Sequence, residues 1–382
     1  MNNYSPAPAA PTRLILADGS TFFGRSFGAP CEVRGEVVFH TGLVGYVEAL
    51  TDPSYRGQIL ALTYPLQGNY GVPSANEREQ TAAPVFESDR IQVAGLIVAQ
   101  HTAIPSHHAA QKSLGTWLHE HGVPALSGID TRALTKRLRQ HGTLTGALLC
   151  DSTDDALGLS CAPRTDMASV ALAVQPRQVR TYEGAGPRIL VLDTGCKESI
   201  VTSLLQRGAA VVRAPASGPW EALLADCDGV LLGNGPGDPK DLPQLVDRIR
   251  KLFAFRAGSL PLFGICLGHQ LLARAAGAET YKLPFGHRSH NQPVLDLMSR
   301  RAYVTSQNHG YAVDDATLPP DFTPWFVSLN DGTSEGMRHR YRPVLSVQFH
   351  PEAAAGPRDT AFLFDEFLRM VTTLKSSQAV RA

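Results

Sequence analysis

The 382-residue chain has no stretch of about 18 consecutive apolar residues, the length a helix needs to cross a bilayer, so a membrane-spanning helix is excluded. It also lacks an excess of either charge. Its 35 Lys and Arg balance 35 Asp and Glu, which removes the electrostatic case for nucleic acid or an anionic membrane as partner. The segment from Met1 to Pro11 is too polar and proline-rich to supply a signal peptide's apolar centre, and it reads as a frayed tail. No C-x-x-C pair occurs: Cys31, Cys150, Cys161, Cys196 and Cys227 have no cysteine or histidine at ligand spacing. They read as reduced thiols of a cytoplasmic protein. His287, His290 and His309 show no ligand spacing either, so no metal or cofactor is expected in this chain. The phosphate loop G-x-x-x-x-G-K-[ST] is missing, and no other nucleotide signature replaces it.

What is present concentrates in the C-terminal half. The run Leu260-Pro261-Leu262-Phe263-Gly264-Ile265 reads as a short buried strand, and Leu267 to Gly277 as a helix with a glycine stop. Cys266 sits on the turn between them, with Gly264 and Gly268 allowing a sharp bend. The arrangement is that of a nucleophile elbow with sulfur in place of oxygen. A helix N-terminus favours the thiolate, the form that attacks carbonyl carbon. A cysteine in an apolar strand is otherwise a small core residue, and the flanking glycines decide against that reading here.

A cysteine nucleophile needs a base, and the base an orienter. The β-rich run Pro343 to Ala353 delivers His350 at its end, and on an extended chain Glu352 projects to the same side. His350 would shuttle the proton and Glu352 would hold its tautomer. A third segment, the strand Asp228 to Gly233 followed by Asn234-Gly235-Pro236-Gly237-Asp238-Pro239, is a rigid loop with exposed backbone N–H groups, as an oxyanion hole requires. The N–H of Leu267 would be its other half.

In this order the three segments resemble the class I (triad) glutamine amidotransferase family, with its G-x-C-x-G-x-Q, G-P-G-D-P and H-P-E motifs. The resemblance implies hydrolysis of the glutamine side-chain amide through a cysteine thioester, with Cys266 as nucleophile, His350 as base and Glu352 as its partner. It also implies that Gly235 and Leu267 make backbone contacts to oxyanion or substrate, with Gly237 in the same loop. Gln270 would grip the glutamine, and Asn308, Gly310 and Tyr311 of Ser306 to Tyr311 would line the pocket.

The N-terminal half extends the resemblance. Gly35 to Gly42, Gly45 to Tyr55, Thr63-Tyr64-Pro65, Gly68 to Gly71 and Asp130 to Arg139 are similar in sequence and spacing to the small, glutamine-hydrolysing subunits of carbamoyl-phosphate synthase. Membership of that family implies, for a partner, the large synthetase subunit that carries the ATP, Mg and bicarbonate chemistry and receives ammonia through an internal tunnel. It also implies that Ser54 reaches the glutamine bound in the other domain. Two other classes stay open: a non-catalytic, amidotransferase-like regulatory scaffold, and an amidotransferase subunit of another synthase. Residues 1–150 oppose the second, and the intact triad opposes the first.

The residues themselves give a mixed α+β N-terminal domain over 1–150, with strands at Arg13 to Leu16 and Val37 to Phe39 and helices over Lys112 to His121 and Arg132 to His141. Residues 151–186 read as a linker. Over 187–382 a doubly wound, mostly parallel α/β sheet is expected, opening with the apolar strand Arg188 to Asp193 and carrying the site at its carboxyl edge. Two segments depart from the family's usual wording. Ser199 stands where Asn is common, and the loop from Arg288 to Gln292 carries bulk and charge where glycines are common.

Overall fold

A computed structural model describes residues 11–74, 86–150 and 167–379. The chain divides into two compact units, Met1–Asp166 and Met167–Ala382. The tail read from Met1 falls outside the described residues up to position 10, as does Cys161, whereas Pro11 already opens a strand.

In the first unit β1 (Pro11–Leu16), β2 (Thr21–Ser26), β3 (Val33–His40), β4 (Ile59–Leu62), β5 (Gly95–Val98), β6 (Ala125–Ser127) and β7 (Leu144–Cys150) close into a barrel in the order β1-β2-β6-β5-β4-β3-β7. Strands β3 to β6 pair in parallel, and β1, β2 and β7 close the ring by antiparallel pairing. Leu60, Leu62, Leu96 and Val98 pack against Leu114, Trp117 and Leu118 of the helix Leu114–Glu120. That helix is shorter than the Lys112 to His121 reading because the Ser113 side chain accepts the Thr116 N–H at 3.1 Å and caps it there. Asp130 caps the helix Thr131–His141 in the same way.

The second unit is one ten-stranded sheet in the order β14-β13-β15-β16-β17-β12-β11-β9-β10-β8. Its strands are β8 (Arg180–Tyr182), β9 (Arg188–Asp193), β10 (Ala210–Pro215), β11 (Gly229–Leu232), β12 (Leu262–Ile265), β13 (Thr280–Asp296), β14 (Ala302–Val313), β15 (Phe322–Ser328), β16 (Ser334–His339) and β17 (Val344–Val347). The central five, β17-β12-β11-β9-β10, are parallel. Antiparallel strands extend the sheet at both ends. Successive residues of β9 feed opposite cores. Leu190 and Leu192 pack with Leu245, Ile249 and Leu272, whereas Ile189 and Val191 pack with Ile200, Phe364 and Phe367. That alternation is what helices on both faces of a parallel sheet require.

Two readings of the sequence change here. Residues 167–186, read as linker, carry the helix Met167–Ala173 and strand β8, which pairs antiparallel with β10, so the second unit starts at Met167; residues 151–166 lie outside the described residues. Residues 288–292, read as a loop, lie within β13, which pairs with β14 through register shifts. Among the described residues no helix is long and apolar enough to cross a membrane.

Candidate active site

Four neighbouring parallel strands, β9, β11, β12 and β17, end at one edge of the sheet, and each releases a functional segment there. Strand β12 runs into Cys266, which caps the helix Leu267–Ala276 with φ 55° and ψ −108°. A non-glycine residue in that region is strained by about 1–3 kcal/mol, and such strain gathers where a nucleophile is held out over a turn. The glycines beside it have no alternative. A Cβ on Gly268 would lie 2.2 Å from the Leu232 carbonyl oxygen, and one on Gly264 2.7 Å from the Gly268 carbonyl oxygen. Helix and strands can meet at the elbow only with those side chains missing.

Strand β17 ends at Val347, short of the sequence expectation, and His350 reaches the site through a single bridge to Ser306 of β14. The His350 N–H donates to the Ser306 carbonyl at 2.9 Å. Glu352 then lies in a turn instead of two residues along a strand. The turn nevertheless brings Glu352 Oε1 to 2.6 Å from His350 Nδ1. Lys197, from the segment after β9, donates its Nζ to the same Oε1 at 3.0 Å. The side chains of His350 and Glu352 are 2% and 0% exposed.

Burial pushes both groups toward neutrality, and their partners overrule it. Burial raises the Glu352 carboxyl, but Lys197 and then His350 bring it down to about 2. Burial lowers the His350 imidazole, while the Glu352 charge carries it up to about 10. The Cys266 sulfur lies near enough to His350 to add to that stabilisation, yet no hydrogen bond of good geometry joins them. The thiol points to the Asn308 carbonyl at 3.6 Å, and His350 Nε2 is buried without a hydrogen-bond partner. Catalytic hydrogen bonds are often loose before substrate arrives, and nucleophile, base and orienter stand here in sequence.

The loop after β11 lies against the helix N-terminus: a Cβ on Gly235 would sit 3.0 Å from Leu267 Cδ2 and 2.2 Å from the Thr194 carbonyl oxygen. Leu267 opens its helix, so its N–H has no partner one turn back. Gly237 turns the loop with φ 104°. Gln270 is buried with its amide nitrogen bonded to the Tyr311 carbonyl at 2.9 Å and to Gln348 Oε1 at 3.0 Å. Asn308, Gly310 and Tyr311 lie together on β14. Their neighbour Arg288, on β13, pairs with Asn308 of β14 and brings its Nη2 within 3.3 Å of where a Gly310 Cβ would stand. The structure thus assembles Cys266, His350, Glu352, Gly235, Gly237, Leu267, Gln270, Asn308, Gly310 and Tyr311 at one edge. Ser54 belongs to the first unit, in the turn Pro53–Tyr55, where its N–H donates to Asp52 Oδ1 at 2.9 Å.

Lys197 carries a role that sequence reasoning did not assign. Its N–H donates to Asn234 Oδ1 at 2.9 Å and ties the β9 segment to the glycine loop, while its Nζ holds Glu352. The signal was within reach: Lys197 stands in the segment Asp193 to Ile200, four residues after a buried Asp193 that itself accepts the N–H groups of Gly195 and Cys196 at 2.7 Å.

Known proteins share the sequence behind this geometry. Residues 190–370 match the family described as glutamine amidotransferase class-I, which defines the class of the second unit. Residues 14–148 match the carbamoyl-phosphate synthase small chain, CPSase domain. The carbamoyl phosphate synthase arginine-specific small chain of Aspergillus fumigatus is 46% identical over 96% of this chain and 81% of its own length. That of Neurospora crassa is 45% identical over 98% and 83%. The multifunctional protein CAD of Squalus acanthias is 46% identical over 95% of this chain and 16% of its own length. A solved structure of a glutamine amidotransferase from Thermotoga maritima overlaps 51% of this chain and 92% of its own length, with TM-score 0.37 and 20% identity. The chain belongs to the carbamoyl-phosphate synthase small-chain family.

Proposed function

We propose that the chain is the glutamine-hydrolysing subunit of a carbamoyl-phosphate synthase. The Cys266 sulfur attacks the side-chain carboxamide carbon of L-glutamine, and the N–H groups of Gly235 and Leu267 receive the charge that develops on its oxygen. His350 gives a proton to the departing nitrogen, so ammonia leaves and a thioester remains. Water, deprotonated by His350, then attacks the thioester carbonyl, and glutamate departs as the thiol re-forms. Glu352 keeps the imidazole in its working tautomer and offsets its charge. Gln270, Asn308, Gly310 and Tyr311 would hold the amino-acid end of the substrate.

Ammonia passes to a large synthetase partner that uses ATP, Mg and bicarbonate, and this chain needs no cofactor of its own for the thioester steps. The names of the fungal small chains support carbamoyl phosphate as the product and favour an arginine-specific role, with pyrimidine synthesis the other destination open to that product. Cytoplasmic placement agrees with the reduced thiols of Cys31, Cys196, Cys227 and Cys266.

The observation that carries the reading is the positive-φ Cys266 on a glycine-flanked elbow beside a buried His350–Glu352 pair. It also weighs against a non-catalytic scaffold, which would have no use for the strain. The test is glutamate release by the chain assembled with its synthetase partner, before and after Cys266→Ser. A variant that releases glutamate at the wild-type rate overturns the proposal.

A further inference from the structure

Behind the pocket, three ligand-type side chains come together that the sequence keeps apart. His287 on β13 pairs directly with His309 on β14, and Glu335 lies on β16. All three are buried, at 8%, 4% and 0% exposure, and one ligand atom from each lies within 4.8 Å of the others. We propose that His287, His309 and Glu335 form a divalent-cation site of the kind zinc occupies.

The spacing fits. Glu335 Oε1 is 3.2 Å from His287 Nδ1 and 3.5 Å from His309 Nε2. Around an ion with bonds of about 2.0–2.1 Å, the corners of a tetrahedron stand about 3.3–3.4 Å apart. The remaining nitrogens of both rings are also held as metal-bound imidazoles are held. His287 Nε2 lies 2.8 Å from Asp331 Oδ2, and His309 Nδ1 lies 2.9 Å from the Tyr311 carbonyl. Both partners can only accept, so each ring places a proton there. A neutral ring then turns its other lone pair toward Glu335, where Gln307 Oε1, 3.3 Å from His309 Nε2, is a further acceptor. A carboxylate or carbonyl on the far nitrogen of each histidine is the usual outer support of a metal site.

A second observation points the same way. Glu335 Oε2 is buried without a hydrogen-bond partner, and so is Nε2 of His269, whose side chain also interacts electrostatically with Glu335 and His309. A buried carboxylate oxygen left unmatched is costly, and a cation held by the same carboxylate offsets that cost. Two imidazoles and one carboxylate suit zinc, whereas magnesium and calcium prefer all-oxygen sets. Because His309 lies between Asn308 and Gly310, the ion would fasten the strand that borders the pocket and take no part in the chemistry.

The competing arrangement puts a second proton on His287, leaving an imidazolium between Asp331 and Glu335. The full chain carrying Cys266→Ser, which removes the reactive thiol as a metal ligand, is purified from zinc-supplemented cells, freed of loose metal and assayed by elemental analysis and by titration with Zn²⁺. About one equivalent per chain is expected. Glu335→Gln should hold less than a tenth as much. Asp331→Asn, whose side chain is 43% exposed and outside the ligand set, should remain folded and bind about 10–100-fold more weakly. Wild-type occupancy below a tenth of an equivalent overturns the site, as does unaltered affinity in Asp331→Asn, or nitrogen NMR showing His287 doubly protonated in zinc-saturated protein. Metal content is read without glutamine turnover, so its failure would leave the glutaminase reading untouched.

Discussion

Lys197, Glu352 and His350 form one line of contacts leading to Cys266 at the residue scale, and removing different members has different consequences. Cys266→Ser keeps the shape but presents a hydroxyl that scarcely ionises, so thioester formation should stop while glutamine binding survives in equilibrium dialysis. A glutamine-like electrophile should modify Cys266 and spare Cys196 and Cys227, both 1% exposed; an adduct spread over all three contradicts the assignment. Since Cys266 is itself only 3% exposed, the reagent's fit to the pocket, and not accessibility, must provide the selectivity. His350→Asn should cost about 10²–10⁴-fold in glutamate release and leave synthesis from ammonium in the assembled complex intact. Glu352→Gln looks milder from sequence, because an amide preserves the shape. The structure changes that expectation: the substitution takes the carboxylate from Lys197 at 3.0 Å and should destabilise the fold by about 3 kcal/mol in urea unfolding. It should also change the pH dependence of stability. A histidine raised from 6.5 to about 10 contributes stability that is complete below pH 6.5 and lost as pH rises toward 10. A carboxyl lowered from 4.5 to about 2 contributes stability that is complete above pH 4.5 and lost as pH falls toward 2. Thermal unfolding of wild type should therefore weaken from pH 6.5 to 10. In Glu352→Gln that slope should flatten, because burial and Lys197 both lower the imidazole once Glu352 is gone. An equal slope in both proteins would remove Glu352 as the cause of the shift.

Elements are held at the site by what glycine omits. Gly268→Ala puts a methyl 2.2 Å from the Leu232 carbonyl and should cost about 3 kcal/mol, because strand β11 and the helix Leu267–Ala276 cannot separate without opening both cores. Gly277→Ala at the other end of the same helix has φ 109° but nothing within 4 Å, and should cost about 1–2 kcal/mol of backbone strain alone. Denaturant titration of the pair distinguishes contact from conformation; equal losses would mean that the elbow can relax. The contrast also explains what the sequence disclosed. Cys266 with Gly264 and Gly268 and the apolar runs of β9, β11 and β12 are local patterns, and each was legible, whereas the caps at Ser113 and Asp130, equally local, were passed over. The contact between Lys197 and Glu352 spans 155 residues, and His287 meets Glu335 only because β13 turns back beside β14 and β15 before β16 arrives. No local periodicity encodes such pairings. Barrel closure in the first unit was equally hidden: β2 alternates between intermediate and exposed positions with none buried, so its strand signal says nothing about which strand receives it.

At the scale of the whole molecule, the question is when the site works. Ammonia released before an acceptor is ready is wasted, and the resting geometry is that of a site not yet engaged. The thiol is spent on the Asn308 carbonyl at 3.6 Å, His350 Nε2 has no hydrogen-bond partner, and Cys266 is 3% exposed. Turnover thus requires a shift that admits glutamine and turns the sulfur toward His350. A partner can drive such a shift only by the difference in its affinity for the two arrangements. A coupling of about 1.4–3 kcal/mol would raise the glutaminase rate about 10–150-fold. The purified chain should therefore hydrolyse glutamine slowly, and addition of the large synthetase subunit with ATP and bicarbonate should accelerate it within that range. The same addition should leave the rate unchanged for Cys266→Ser, which has no thioester route to accelerate. Rapid-quench assays of glutamate release measure both. Full-speed turnover by the chain alone would mean that the engaged arrangement is already dominant in solution, and that the Asn308 contact does not restrain the thiol.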